Sequence, residues 1–250
     1  MTRARGIALC TLAALGGCAG LKSADGTGAP VDAAAPAPDG SEPGDGLDAS
    51  GSGDGGADAS DDAPADGAGP VRLVFVTTAK VNGAFAGAAS PWAAADAICA
   101  TEAVANSLSG TFIAWLSYTD SIGTSFNAGT RITDAAYSLP ADIADGGAPV
   151  LVAASKAELL SSGPRVPLDR YANGARADRD ENDYVTWVWT GTDGVGAASS
   201  MTCSRWTSAD ASAAGVAGNA RRIPQYSPTD WTSLGGRTCD LVRRLYCFQK

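Results

Sequence analysis

The distribution of aromatic residues restricts the folded part of this chain to its C-terminal portion. The sequence has six tryptophans, six tyrosines and five phenylalanines, and the first of them is Phe75. Residues 19–70 are almost entirely Ala, Gly, Asp, Ser and Pro. Such a segment cannot bury enough apolar surface to offset the entropy lost on ordering. We therefore predict a disordered tether over residues 18–70 and a single folded domain over residues 71–250.

The N-terminus has the pattern of an export signal. Arg3 and Arg5 precede an apolar run over residues 6–15. That run is shorter than the roughly 20 residues of a membrane span, and it fits the core of a signal peptide. The run ends in Leu-Gly-Gly-Cys at Cys18, which resembles the bacterial lipobox. We predict a lipoprotein signal peptide over residues 1–17 and a lipid on Cys18, which would anchor the chain in the bacterial cell envelope, at the outer membrane or cell surface. The alternative is an ordinary cleaved signal with an incidental cysteine.

Charge and the absence of one residue type exclude several functions. The net charge is −9, but residues 19–70 alone carry −10, which leaves the domain near neutrality and predicts no nucleic-acid partner. No histidine occurs, so Ser-His-Asp catalysis, Cys-His catalysis and imidazole metal sites are excluded. No Gly-x-Ser-x-Gly elbow or phosphate-binding loop occurs either. We expect neither an enzyme nor a cofactor; a hydrolase using a carboxylate pair such as Asp180 and Asp193 is the weaker alternative.

Short apolar segments separated by Gly-, Ser- and Ala-rich stretches predict a loop-rich α+β domain. A helix is expected from Pro91 to about Ala105, with Ser90 as its N-cap and Cys99 facing the core. A capping box at Ser155 predicts a short helix through Leu160. The strands are expected over residues 71–77, 111–117, 184–190 and 242–248, the third of them central.

Four cysteines follow the signal: Cys99, Cys203, Cys239 and Cys247. An even number in an exported chain predicts disulfides, and four cysteines permit three pairings. We favour the nested pairing, Cys99–Cys247 with Cys203–Cys239. The first bridge would join the early helix to the last strand, and the second would close the loop-rich region.

Four segments resemble, in the same order, the endostatin domain of collagens. They are Gly-Thr-Phe-x-Ala-Trp-Leu-Ser (110–117), Val-Trp-Thr-Gly-Thr-Asp (188–193), a Cys-x-x-Trp strand (203–206) and the closing Leu-Tyr-Cys-Phe (245–248). The whole pattern is closer to a bacterial domain of secreted proteins and lipoproteins in the same C-type-lectin-like superfamily. The resemblance implies a C-type-lectin-like (endostatin-like) fold with nested disulfides, and binding of heparin-like chains through arginines. Endostatin's zinc histidines and the calcium tripeptides of lectins are missing, so neither metal site is implied.

Arginines accumulate near the C-terminus, where residues 201–250 carry a net charge of +4 against −5 for residues 71–200. If the fold brings them together, their guanidinium groups could bind sulfate, carboxylate or phosphate. A scattered, solvated set is the alternative, and the two adjacent arginines should point to opposite faces of a strand. The candidate ligand-binding arginines are Arg205, Arg221, Arg222, Arg237, Arg243 and Arg244.

Two further candidates complete the predicted sites. Most of the six tryptophans are expected in the core, whereas Trp231 lies in a polar loop and is the candidate for an exposed stacking ring. The acidic loop containing Asp178, Asp180 and Asp183 is a weak calcium candidate, because it lacks the spacing of an EF-hand and Arg179 competes for its carboxylates.

Together these features predict a surface-anchored lipoprotein whose domain recognises an extracellular glycan or protein without catalysis. The first alternative is a structural envelope lipoprotein without a soluble ligand. The second is the carboxylate-dependent hydrolase.

Overall fold

The computed structural model of the chain describes residues 70–142, 147–179, 185–222 and 227–250. All of them lie in Ser60–Lys250, the second of two units into which the chain divides. The predicted signal peptide, the lipid attachment at Cys18 and the tether up to residue 69 lie outside the described residues. Among the described residues no helix has the length and apolarity needed to cross a bilayer.

The described residues form a mixed α+β domain in which strands predominate. In chain order its elements are β1 (Arg72–Val76), α1 (Pro91–Ala105), β2 (Phe112–Ala114), β3 (Tyr118–Thr119), β4 (Ser125–Phe126), α2 (Ala128–Arg131), β5 (Tyr137–Leu139), β6 (Val150–Ala153), α3 (Lys156–Ser162), β7 (Trp187–Trp189), α4 (Cys203–Trp206), β8 (Ala214–Asn219), β9 (Gly235–Thr238) and β10 (Tyr246–Gln249).

The largest sheet has the strand order β2-β10-β1-β5-β6. The first and last strands of the domain lie side by side in it, because β1 pairs antiparallel with β10, with Phe75 opposite Cys247. Strand β1 pairs parallel with β5, and the remaining pairs are antiparallel. A β3-β4 hairpin and a three-stranded sheet, β7-β8-β9, complete the described strands.

This largest sheet is buried on both faces, because alternate residues of its strands belong to two separate apolar clusters. Phe75 and Cys247 face one cluster, together with α1, whereas Val74 and Phe248 face the other. Both clusters contain tryptophans, which confirms the expectation that most of these rings fill the interior.

The predicted helices are confirmed with small adjustments. Helix α1 begins at Pro91 and ends at Ala105, and Cys99 on its inner face is fully buried. The Ser155 hydroxyl accepts a hydrogen bond from the Glu158 N–H at 3.1 Å, which is one half of the predicted capping box. Helix α3 continues to Ser162, two residues beyond the predicted end.

The nested disulfide pairing is confirmed. Cys99 is bonded to Cys247 and Cys203 to Cys239, with Cα–Cα distances of 5.5 and 5.6 Å. The first bridge joins α1 to β10, as predicted. Both pairs are fully buried.

Three predicted strands are shorter than expected, and one has a different place. The segments over residues 71–77 and 111–117 contain β1 and β2, and the segment over residues 242–248 overlaps β10, which ends one residue later at Gln249. The third predicted strand, β7, is not central, because it lies at the edge of the three-stranded sheet beside β8. Its other side is joined to the segment before β10 by the bridge between Val188 and Arg244.

Tyr137 on β5 makes the stability of the domain sensitive to alkaline pH. The ring is fully buried, and its hydroxyl donates a hydrogen bond to the Thr133 carbonyl at 2.8 Å. Burial raises the pKa of Tyr137 from 10.0 to about 12. An acid whose pKa is raised by folding stabilises the fold fully below its unfolded pKa, and this contribution is lost as the pH rises through the folded pKa.

We therefore expect the free energy of unfolding to fall by about 1.4 kcal/mol per pH unit from Tyr137 alone between pH 10 and pH 12. Urea titrations of the wild type and Tyr137→Phe across this range test it. The variant should lose about 1 kcal/mol at neutral pH with the missing hydrogen bond, but show a shallower decline above pH 10. Tyr246, whose pKa burial also raises, keeps part of the decline in both proteins. Equal slopes would contradict the prediction.

Candidate functional site

The segment α4 is a single left-handed turn, not the strand that the resemblance implied. Cys203, Ser204, Arg205 and Trp206 have φ values of 48°, 52°, 63° and 60°. A left-handed residue other than glycine costs roughly 1–2 kcal/mol, so a run of four is retained only where neighbouring contacts hold it. Backbone hydrogen bonds close the turn, including Trp206 N–H to the Thr202 carbonyl at 2.7 Å.

Buried anchors at both ends hold this turn. At one end Cys203 is bonded to Cys239, and its sulfur packs so closely on Gly83 that a Cβ there would lie 2.5 Å from it. At the other end the fully buried Trp206 ring donates its indole N–H to the Ser117 carbonyl at 3.0 Å. The two residues between the anchors, Ser204 and Arg205, are exposed. The fold therefore holds this strained backbone firmly and presents its two central side chains to solvent.

The turn forms one wall of an open cleft of about 480 Å³, a volume within the range of small-ligand sites. We call it the Arg205 cleft. It is lined by Thr119, Asp120, Ser199, Ser200, Met201, Thr202, Ser204, Arg205, Ala213 and Ala214. Five of these residues carry hydroxyl groups and two carry opposite charges, so the lining is suited to hydrogen bonding and charge recognition.

Arg205 differs from the other candidate arginines because its side chain has no hydrogen bond, ion pair or ring contact with any described residue. It is also exposed. An arginine that is not already paired keeps all its N–H donors for a ligand.

Four of the remaining candidate arginines each have a partner among the described residues. Arg221 donates to the Ala177 carbonyl at 2.9 Å, and Arg222 forms an ion pair with Asp230 at 2.9 Å. The guanidinium of Arg237 stacks on the Trp187 ring at 3.7 Å. Arg243 donates to the Val242 carbonyl at 3.1 Å. These contacts do not test ligand binding, which stays a prediction for all four residues.

Arg244 requires a correction, because it is buried and cannot belong to a surface patch. Only 4% of the residue is exposed. Its guanidinium donates to the carbonyls of Thr77 and Thr78 at 3.1 and 2.7 Å and lies over the Tyr171 ring. Its charge is used to join the end of β1 to the segment before β10. The expectation that Arg243 and Arg244 differ in orientation agrees with this, since Arg243 remains partly exposed.

The prediction of an exposed ring at Trp231 is wrong. The residue is 3% exposed, and its ring packs against Trp115 and Tyr246 at centroid distances of 4.9 and 5.8 Å. The polar residues that precede it made the segment look solvated. The fold instead directs this ring into the second apolar cluster.

The structure describes only part of the calcium candidate. Asp178 is exposed, and its carboxylate accepts a hydrogen bond from the Tyr171 hydroxyl at 3.2 Å. Asp180 and Asp183 lie outside the described residues, as does the Asp180 member of the alternative catalytic pair. Within the described ranges no group of three or more acidic or cysteine side chains is placed to hold a metal ion.

Sequence reasoning identified Arg205 but missed the rest of its cleft. Asp120 to Thr124 form a short turn that contains an Asp and a Gly. Both residue types are typical of turns, so a hairpin could have been predicted there. Nothing in the sequence indicates that this hairpin lies beside residues about 80 positions later. The left-handed backbone of α4 has no sequence signal either, because none of its residues is glycine.

Comparisons with known proteins add no assignment. No protein-family model matches the chain, and no curated protein matches it.

Proposed function

We propose that this protein is a surface-anchored lipoprotein of the bacterial cell envelope. In this proposal a lipid on Cys18 anchors the chain at the outer membrane or cell surface, and the acidic tether separates the domain from the membrane. The domain has a C-type-lectin-like fold and recognises an extracellular glycan or protein without catalysing a reaction. The mixed α+β architecture and the two nested disulfides are consistent with that fold.

The single observation that carries recognition is the Arg205 cleft. An exposed arginine without a partner among the described residues is held on a strained turn between two buried anchors. Fixing the backbone that carries this charged side chain reduces the backbone entropy lost when a ligand is bound. The hydroxyl-lined cleft provides further hydrogen-bonding groups around it.

Binding of the full-length chain to a glycan array and a peptide array, with and without calcium, tests the proposal. Arg205→Gln should weaken the binding found by about tenfold, because a hydrogen bond to a charged group contributes about 1.5–3 kcal/mol. Arg165→Gln is the matched control, since Arg165 is a half-exposed arginine paired with Glu158 outside the cleft.

The outcomes separate the proposal from its alternatives. Binding that Arg205→Gln weakens and Arg165→Gln does not would support the cleft. Binding that both variants retain would place recognition elsewhere and remove the cleft from the proposal. Failure to bind either array would overturn recognition and favour an envelope lipoprotein without a soluble ligand.

A further inference from the structure

The Arg205 cleft contains a second charged group that is also available to a ligand. Asp120 begins the turn of the β3-β4 hairpin and lines the cleft. Its Oδ1 accepts hydrogen bonds from the N–H groups of Ile122 and Thr124 at 3.0 and 2.8 Å. Its Oδ2 accepts none from the described residues. The hairpin therefore fixes the carboxylate through one oxygen and leaves the other for a ligand.

Asp120 and Arg205 line the same cleft. Among the ion pairs within 4 Å that the described residues form, none joins these two side chains. Unpaired opposite charges in one cleft favour a ligand that carries both complementary charges. A sulfated or otherwise polyanionic chain would gain from Arg205 but would be repelled by Asp120. A ligand with a single positive charge would be attracted by Asp120 but repelled by Arg205.

The rest of the lining argues against a neutral sugar as the main ligand. Proteins commonly bind the apolar face of a sugar ring with an exposed aromatic side chain, and no aromatic residue among those described lines the cleft. The ring proposed for that purpose, Trp231, is buried. Recognition here depends on charge and on the surrounding hydroxyl groups.

We propose that the Arg205 cleft binds the zwitterionic group of an α-amino acid, either free or at the end of a peptide branch. The ligand carboxylate pairs with the Arg205 guanidinium, whose planar fork matches its two oxygens. The ligand ammonium pairs with Asp120. Hydroxyl groups such as that of Ser204 satisfy the remaining polar atoms. This inference rests on the proposed function and names the ligand class of the same cleft.

Calorimetric titration of the full-length chain with three forms of an α-amino acid tests the proposal. The forms are the free amino acid, its methyl ester without the carboxylate, and its N-acetyl derivative without the ammonium. A second series uses short peptides whose side-chain end carries the same zwitterionic group, which distinguishes a free amino acid from a peptide branch. In wild type, removing either charge should weaken binding about tenfold or more.

The variants assign each charge to its partner. In Asp120→Asn the free amino acid and its N-acetyl derivative should bind equally, and in Arg205→Gln the free amino acid and its ester should bind equally. Asparagine keeps the oxygen that caps the hairpin turn. Asp193→Asn is the matched control, because Asp193 accepts from the N–H groups of Val195 and Ala197 at 3.0 and 2.8 Å, in the same arrangement but outside the cleft.

Two results would overturn the inference. One is that no zwitterionic ligand binds, even though a glycan or peptide on the arrays binds in an Arg205-dependent way; the proposed function would then stand and the ligand class would be wrong. The other is that zwitterionic ligands bind but Asp120→Asn discriminates between the three forms as wild type does. Loss of all binding, on the arrays as well, would contradict both proposals.

Discussion

Replacing Cys99 and Cys247 together by alanine is expected to lower the free energy of unfolding by about 5 kcal/mol. The bridge spans 148 residues, and in the chain-entropy model a loop of this length restricts the unfolded chain by about that amount. Because native domains are stable by only about 5–15 kcal/mol, the variant should lose a third or more of its stability at 25 °C. Urea denaturation of the full-length chain, followed by tryptophan fluorescence, measures the loss.

The second disulfide provides the comparison. Cys203–Cys239 spans 36 residues, for which the same model gives about 4 kcal/mol when both cysteines are replaced by alanine. Removal of this second bridge should also release one anchor of the left-handed turn and weaken ligand binding. Removal of the first bridge should leave ligand binding unchanged in the protein that remains folded. A Cys99/Cys247 variant within 1 kcal/mol of wild type would contradict the prediction, as would disulfide-linked peptides with a different pairing in a non-reduced digest.

The parts of the fold that the sequence predicts are those in which local pattern and burial agree. Helix α1 has a proline at its first position and small apolar residues at helical spacing, and its predicted bounds are the observed ones. Strand β1 is rich in β-branched and aromatic residues and follows a sequence without aromatic residues. The disulfide pairing could also be predicted, because Cys99 lies on this early helix and Cys247 lies on the last strand of the domain.

The parts that could not be predicted depend on contacts distant in sequence. Trp231 lies after polar residues, and only its position against Trp115 explains its burial. The charge of Arg244 is buried because the carbonyls at the end of β1 accept its hydrogen bonds. The Arg205 cleft combines a hairpin with a turn far along the chain, so its second charged residue, Asp120, has no sequence signal as a ligand-binding group.

The sequence does not predict strands β8 and β9, because they consist largely of small residues, which ordinarily disfavour strands. In β8 the absence of a side chain at its two glycines is required by packing. A Cβ on Gly215 would lie 2.7 Å from the sulfur of Cys203, and a Cβ on Gly218 would lie 1.9 Å from the carbonyl oxygen of Trp231. The glycines thus allow the backbone of other segments to approach the strand closely, a role that composition alone does not reveal.

This close approach makes Gly218→Ala the second substitution with a large expected effect. The obstacle is backbone, since the three atoms nearest the added Cβ are the Trp231 carbonyl oxygen and carbon and the Thr232 nitrogen. That segment cannot retreat easily. Its carbonyls accept hydrogen bonds from the buried hydroxyls of Tyr246 and Thr190 at 2.8 and 2.6 Å, and the Thr232 hydroxyl accepts one from the Trp115 indole at 2.7 Å.

We expect Gly218→Ala to lower the free energy of unfolding by about 3 kcal/mol or more, the upper range for overpacking in a well-packed interior. Gly147→Ala is the matched control, because a Cβ at this exposed glycine meets no atom within 4 Å. It should leave stability unchanged or raise it by about 0.5 kcal/mol, through the smaller entropy of its unfolded chain. Thermal and urea unfolding of both variants give the comparison. If the two differ by less than 1 kcal/mol, β8 does not pack against the Trp231 segment as described, and the small residues of this strand would lose their packing explanation.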